Sequence, residues 1–131
     1  MSKSVLYAAN SNAQTTSETG SIINFGSIVR RYGCGLKLSG GNVIIEDSGY
    51  YDIDTNFTVT PSSAGTLIIQ LFQDGNAIPG AKVTLSATVN TVAVSIPAIV
   101  REKCCCESTI TAMIIGVPTT VNNASVLVEK L

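Results

Sequence analysis

The chain has 131 residues, the size of a single domain, 1–131, able to bury a core without metal or disulfide support. Charged residues make up 13% of it, against roughly 25% in ordinary soluble proteins, so apolar surface is expected to be hidden at a subunit contact. Net charge is −1 with scattered basic residues, which argues against nucleic-acid binding, and no apolar run approaches the ~20 residues of a bilayer span, so no membrane insertion is expected.

The opening, MSKSVLYAANSNAQTTSETG, has one early lysine and only a short apolar patch before it turns polar. That is too little for a signal peptide, and synthesis in the cytoplasm without export by the general route is expected. A first strand is predicted at 5–9, followed by a polar loop at 10–20 whose simplest role is solvation. Strands then follow at 22–30, 35–38 and 43–46. In YYDIDTNFTVT, residues 50–60, Tyr51, Ile53, Phe57 and Val59 alternate with Asp52, Asp54, Asn56 and Thr58. Period-two alternation gives a strand with one core face and one wet face.

GTLIIQLFQ places Leu67, Ile69 and Leu71 on one face and apolar Ile68 and Phe72 on the other, so both faces are expected to be covered. Asp74-Gly75-Asn76 tolerates positive φ and should turn the chain into a hairpin with 77–85. Pro79-Gly80 interrupts that partner and signals an edge, a bulge or a second turn. Strands at 89–100, 109–115 and 125–131 complete the series. The last carries Val126 and Val128 on one face and Leu127 and Leu131 on the other, and a partner subunit is expected to cover the second face. The whole reads as all-β, about eight to ten short antiparallel strands in a sandwich or jelly roll.

Several segments resemble the C1q and tumour-necrosis-factor superfamily, especially its compact bacterial and phage members such as the terminal domain of spore-surface collagen-like proteins. Ile23-Asn24-Phe25-Gly26 is similar to the family's V-x-F segment, and Gly49-Tyr50-Tyr51-Asp52-Ile53 to its G-x-Y-x-F strand, with Ile53 in the aromatic position. Leu71-Phe72-Gln73-Asp74-Gly75 resembles the L-x-x-x-G strand and turn, and Val126-Leu127-Val128 the final strand beside the trimer axis. The resemblance implies a C1q/TNF-like jelly-roll β-sandwich assembled as a homotrimer, with Tyr7 of the first strand beside a neighbouring subunit; together with the two-sided apolar strands above, this makes Tyr7, Ile68, Phe72 and Leu127 the expected interface residues. Where many relatives carry a leucine-x-x-glycine-aspartate turn this chain has residues 101–106, so binding habits tied to that turn, calcium included, do not carry over.

The stretch REKCCCEST holds Cys104, Cys105 and Cys106. Adjacent Cα atoms sit about 3.8 Å apart, below the usual disulfide range of roughly 4.4 to 6.8 Å. Cys104 and Cys106 on one strand would be ~6.6 Å apart, and only the fold can bring Cys34 to any of them. With no C-x-x-C spacing and no histidine, neither a zinc site nor an activated thiol is indicated. A structural thiol cluster is expected, reduced and packed between subunits or against the core.

Asp52 and Asp54 share a face, and a solvated face is the simpler account of them than a cation site. No catalytic residue, metal ligand or cofactor is assigned. The function expected is a non-enzymatic structural and binding module on a phage or prophage virion, as a capsid decoration, fibre or receptor-contacting protein. The partners expected are copies of itself, other virion proteins, and a host-surface glycan or receptor. The alternative is a trimeric lectin-like protein of the bacterial spore or cell surface. A hydrolase on this scaffold lacks the residues it would need.

Overall fold

The computed structural model describes residues 3–103 and 106–131. Among them the elements, in chain order, are β1 (Val5–Asn10), β2 (Gln14–Thr15), β3 (Ser21–Ile22), β4 (Ser27–Tyr32), β5 (Leu36–Ser39) and β6 (Asn42–Ile45). They continue as β7 (Gly49–Pro61), β8 (Gly65–Gln73), β9 (Asn76–Ala87), β10 (Val92–Glu102), β11 (Ser108–Gly116) and β12 (Thr119–Lys130). Ten of these have four or more residues, and β2 and β3 are two-residue pairings. A front sheet has the order β10-β7-β12-β1-β4, with β2 beside β12, and a back sheet has β5-β6-β11-β8-β9, with β3 beside β11. Every pairing is antiparallel, as a two-sheet jelly roll requires.

Alternation builds the core. Leu6 and Ala8 of β1, Ile53, Phe57 and Val59 of β7, Ile96 of β10, and Val126 and Val128 of β12 point back from the front sheet and are buried. They meet Leu67, Ile69 and Leu71 of β8 and Ile110, Ala112 and Ile114 of β11. The Phe25 and Phe57 rings lie 6.0 Å apart, centroid to centroid, at a tilt of 37°. Tyr51, fully buried, points its hydroxyl to the Asp47 carbonyl at 2.7 Å. Burial, with the nearby charges of Asp47, Glu102 and Cys34, pushes that phenol up to about 12.

The expected strand at 22–30 is two strands in different sheets. Ile23 donates its amide to Ala112 of the back sheet at 2.8 Å, Phe25 donates to Gly41 at 2.9 Å, and the chain then crosses to the front. Gly26 makes the crossing with φ 81°, where a Cβ would lie 2.4 Å from the Ala9 carbonyl oxygen. The polar loop at 10–20 is partly ordered by β2, which pairs with Thr120 and Val121. β10 begins at Val92, three residues after the expected start, and β12 begins six residues early, with a bulge between Val121 and Asn123.

Asp74 and Gly75 both have positive φ, 52° and 80°, the geometry of the tight hairpin turn expected there. Downstream, Pro79-Gly80 lies in the edge strand β9, where the register with β8 shifts between Gln70 and Phe72. Gln70 fills that bulge. Its Nε2 donates to the carbonyls of Leu71, Ile78 and Ala81 at 2.9, 3.1 and 3.1 Å. Gln70→Leu leaves these carbonyls without their donor, and a loss of about 1–3 kcal/mol is expected. Urea denaturation should show it as a lower midpoint at unchanged slope.

Candidate subunit interface

Because side chains alternate, β1, β7, β10 and β12 each present a second set of residues on the face turned away from the core. Register arranges this set in rows. Pro97 lies opposite Asp54, Asp54 opposite Leu127, Leu127 opposite Tyr7, and Tyr7 opposite Arg30. The next row is Ile99, Asp52, Glu129, Val5 and Tyr32. Beyond it, Arg101 lies opposite Tyr50, and Leu131 donates its amide to the Tyr50 carbonyl at 2.9 Å.

Three of the chain's four tyrosines therefore share one outward face with Val5, Ile99, Leu127 and Leu131. Tyr32 is 69% exposed, Ile99 and Leu131 62% each, and Tyr50 55%, which makes this face an exposed apolar and aromatic patch. The opposite half of the face is polar, with Asn56 accepting from Ser95 and Asn122 donating to Thr60.

Charge on this face is segregated. Asp52, Asp54 and Glu129 occupy the central strands β7 and β12, while Arg30 lies on the edge strand β4 and Arg101 on the edge strand β10. Burial pushes the Asp54 carboxyl above its ordinary range, helped by the charge of Asp52, a hydrogen bond with Asp52, and the charge of Glu129. Asp54 thus holds its proton more tightly in the folded chain than in the unfolded one. Its contribution favours the fold at low pH and is lost as pH rises through the raised value. Asp54→Asn is accordingly expected to raise the melting temperature near neutral pH and to leave it unchanged below about 3.9, the ordinary carboxylate value. Thermal melts of both proteins across pH check this, and a wild-type chain more stable than the variant at neutral pH would contradict it.

The four residues expected at the interface form two pairs. Tyr7 and Leu127 are direct cross-strand neighbours on the front face. Ile68 and Phe72 are half-buried on the outward face of the back sheet, where Ile68 lies between Thr84 and Ile115 and Phe72 between Ala77 and Thr111. Sequence reasoning did not assign Tyr32, Tyr50 and Ile99 to the subunit interface with Tyr7. Their exposure was invisible without the register that gathers them.

Cys104 and Cys105 lie outside the described residues. Cys106 is exposed in the connection before β11 rather than on a strand, and Cys34 is an exposed free thiol in the turn between β4 and β5. Among the described residues no group of three or more histidine, cysteine or acidic side chains is placed to hold a metal ion.

No family model matches the sequence, and no curated protein matches it. Solved structures do. Murine APRIL superposes with a TM-score of 0.75 at 16% identity, covering 99% of this chain and 100% of that one. Eiger TNF from S. frugiperda gives 0.70 at 10% identity, covering 98% and 91%. PRD1 vertex protein P5 gives 0.64 at 13% identity, covering 98% and 96%. The chain has a TNF-like jelly-roll fold, in agreement with the resemblance of its segments.

Proposed function

We propose that this chain is a non-enzymatic structural and binding module that assembles as a homotrimer and is displayed on the surface of a phage particle. The observation that carries the reading is the front face, where Tyr7, Tyr32, Tyr50, Ile99, Leu127 and Leu131 form an apolar and aromatic surface on one side of a complete sandwich. Such a face is stable in water when another copy covers it. The segregated charges suit a cyclic, head-to-tail contact, in which the Arg30 edge of one subunit meets the Asp52 and Glu129 row of the next.

The virion placement is supported by the likeness to PRD1 vertex protein P5. The absence of histidine, the commonest general acid and base, supports a role without catalysis. The test is mass spectrometry of purified particles and of the host envelope after prophage induction. Recovery with the particles is expected. Recovery from the spore or cell surface alone would replace the virion role with display on the bacterium.

A further inference from the structure

At the end of the sandwich where β10 finishes, a cleft of about 300 Å³ opens between the β8–β9 turn and the start of β11. Gln73, Asp74, Arg101, Glu102, Lys103, Cys106 and Ser108 line it. Glu102 continues the inward-facing series of Val94, Ile96 and Val100, so a carboxylate occupies the position where the strand would next supply a core residue. It is 3% exposed, and its Oε2 has no hydrogen-bond partner among the described residues. A buried carboxylate oxygen without a donor costs free energy unless something supplies one.

The second acceptor is held in place. Asp74 sits in the hairpin turn at φ 52°, its Oδ1 accepting the Thr109 amide at 2.9 Å and its Oδ2 the Ser108 hydroxyl at 3.0 Å. Gln73 Nε2 ties this pair to β10 by donating to the Arg101 carbonyl at 3.1 Å and the Ser108 Oγ at 3.3 Å. Each Asp74 oxygen keeps a lone pair for a further donor.

Arg101 and Lys103 line the same cleft, but among the described residues neither forms an ion pair with Asp74 or Glu102. The Arg101 guanidinium lies 5.9 Å from the centroid of the Tyr50 ring, on the outward face. The ion pairs among the described residues are Lys37 with Glu46 and Lys130 with Asp47, so Lys103 pairs with neither Asp74 nor Glu102. Next to the acids, and sharing Gln73, Asp74 and Arg101 with them, lies a second hollow of about 340 Å³ walled by Ala77, Ile78, Pro79, Ile99 and Val100.

We propose that this double cleft binds a primary alkylammonium group, with the methylene stem on Ile78 and Pro79 and the ammonium between Asp74 and Glu102. A polyol would match the acceptors but not the aliphatic wall, and a carboxylate ligand would bring no donor to the Asp74 and Glu102 oxygens. The chemistry is common to a free amine and to a lysine side chain of a partner protein, and the experiment separates them.

The test is titration of isotopically labelled full-length chain with pentylammonium chloride, with acetyl-lysine N-methylamide, and with 1-pentanol as the neutral analogue, read from backbone amide shifts. Saturable shifts at Gln73, Asp74, Glu102 and Ser108 are expected with the two amines and not with the alcohol. Tighter binding of the lysine derivative assigns the site to a protein partner, and tighter binding of pentylammonium to a free amine. Glu102→Gln keeps the shape and removes the charge, and should weaken amine binding about tenfold or more. Asp74→Asn preserves both an acceptor for Thr109 and tolerance of positive φ, and should weaken it similarly. Shifts of equal size with 1-pentanol, no amine shifts at these residues, or amine binding unchanged in either folded variant would overturn the proposal.

Discussion

Leu127→Asp is expected to convert the proposed trimer into single subunits while leaving each subunit folded. Leu127 stands at the centre of the front face, between Tyr7 on β1 and Asp54 on β7, and its side chain takes no part in the core. In the subunit alone the new carboxylate reaches water, so the melting transition should persist. In the assembly it is buried beside Asp54 with no partner, which costs several kcal/mol. A cyclic trimer repeats that cost at three contacts, enough to lower the assembly constant about a thousandfold or more. Light scattering after size exclusion reads the change directly. Ile68→Asp, on the opposite face, serves as the control. Dissociation by Ile68→Asp and not by Leu127→Asp would move the contact to the back sheet.

Phe57→Ala is expected to cause the largest loss of subunit stability, about 3–5 kcal/mol. The ring is 1% exposed and packs against Phe25, which the β3–β4 crossing brings into the core. Removing it takes away the transfer free energy of the ring and leaves a cavity that two hydrogen-bonded sheets cannot close. Against a total of about 5–15 kcal/mol for an ordinary domain, this should leave the chain unfolded or close to it at physiological temperature. Chemical denaturation monitored by far-ultraviolet circular dichroism measures it. A loss under 1 kcal/mol would mean the core repacks around the gap.

Much of the fold was legible because its signals are local. The alternation of Tyr51, Ile53, Phe57 and Val59 named the buried face of β7, and Asp74-Gly75 named the turn between β8 and β9. The same alternation separates the two faces of any strand but does not say which sheet the strand joins. Tyr7 and Leu127 lie on the front sheet and Ile68 and Phe72 on the back sheet, a separation that alternation alone does not reveal. The split of 22–30 into β3 and β4 was hidden for a related reason. Ile23 and Phe25 keep strand-like spacing while the backbone between them changes hydrogen-bonding partners from one sheet to the other.

The cleft had a signal that went unread. The even-numbered series Val94, Ile96 and Val100 runs on to Glu102, and a carboxylate in phase with a core face is an anomaly visible in the sequence. Asp74 in the β8–β9 turn and Ser108 on β11 are joined by the pairing of β8 with β11, and the fold sets both around the same cleft as Glu102.

What matters most is whether the tyrosine-bearing side of the sandwich is satisfied by further copies of the same polypeptide. Sedimentation velocity of the unmodified protein at micromolar concentration decides this. A single species of three times 13.6 kDa is the predicted result; a stable 13.6 kDa particle would contradict it.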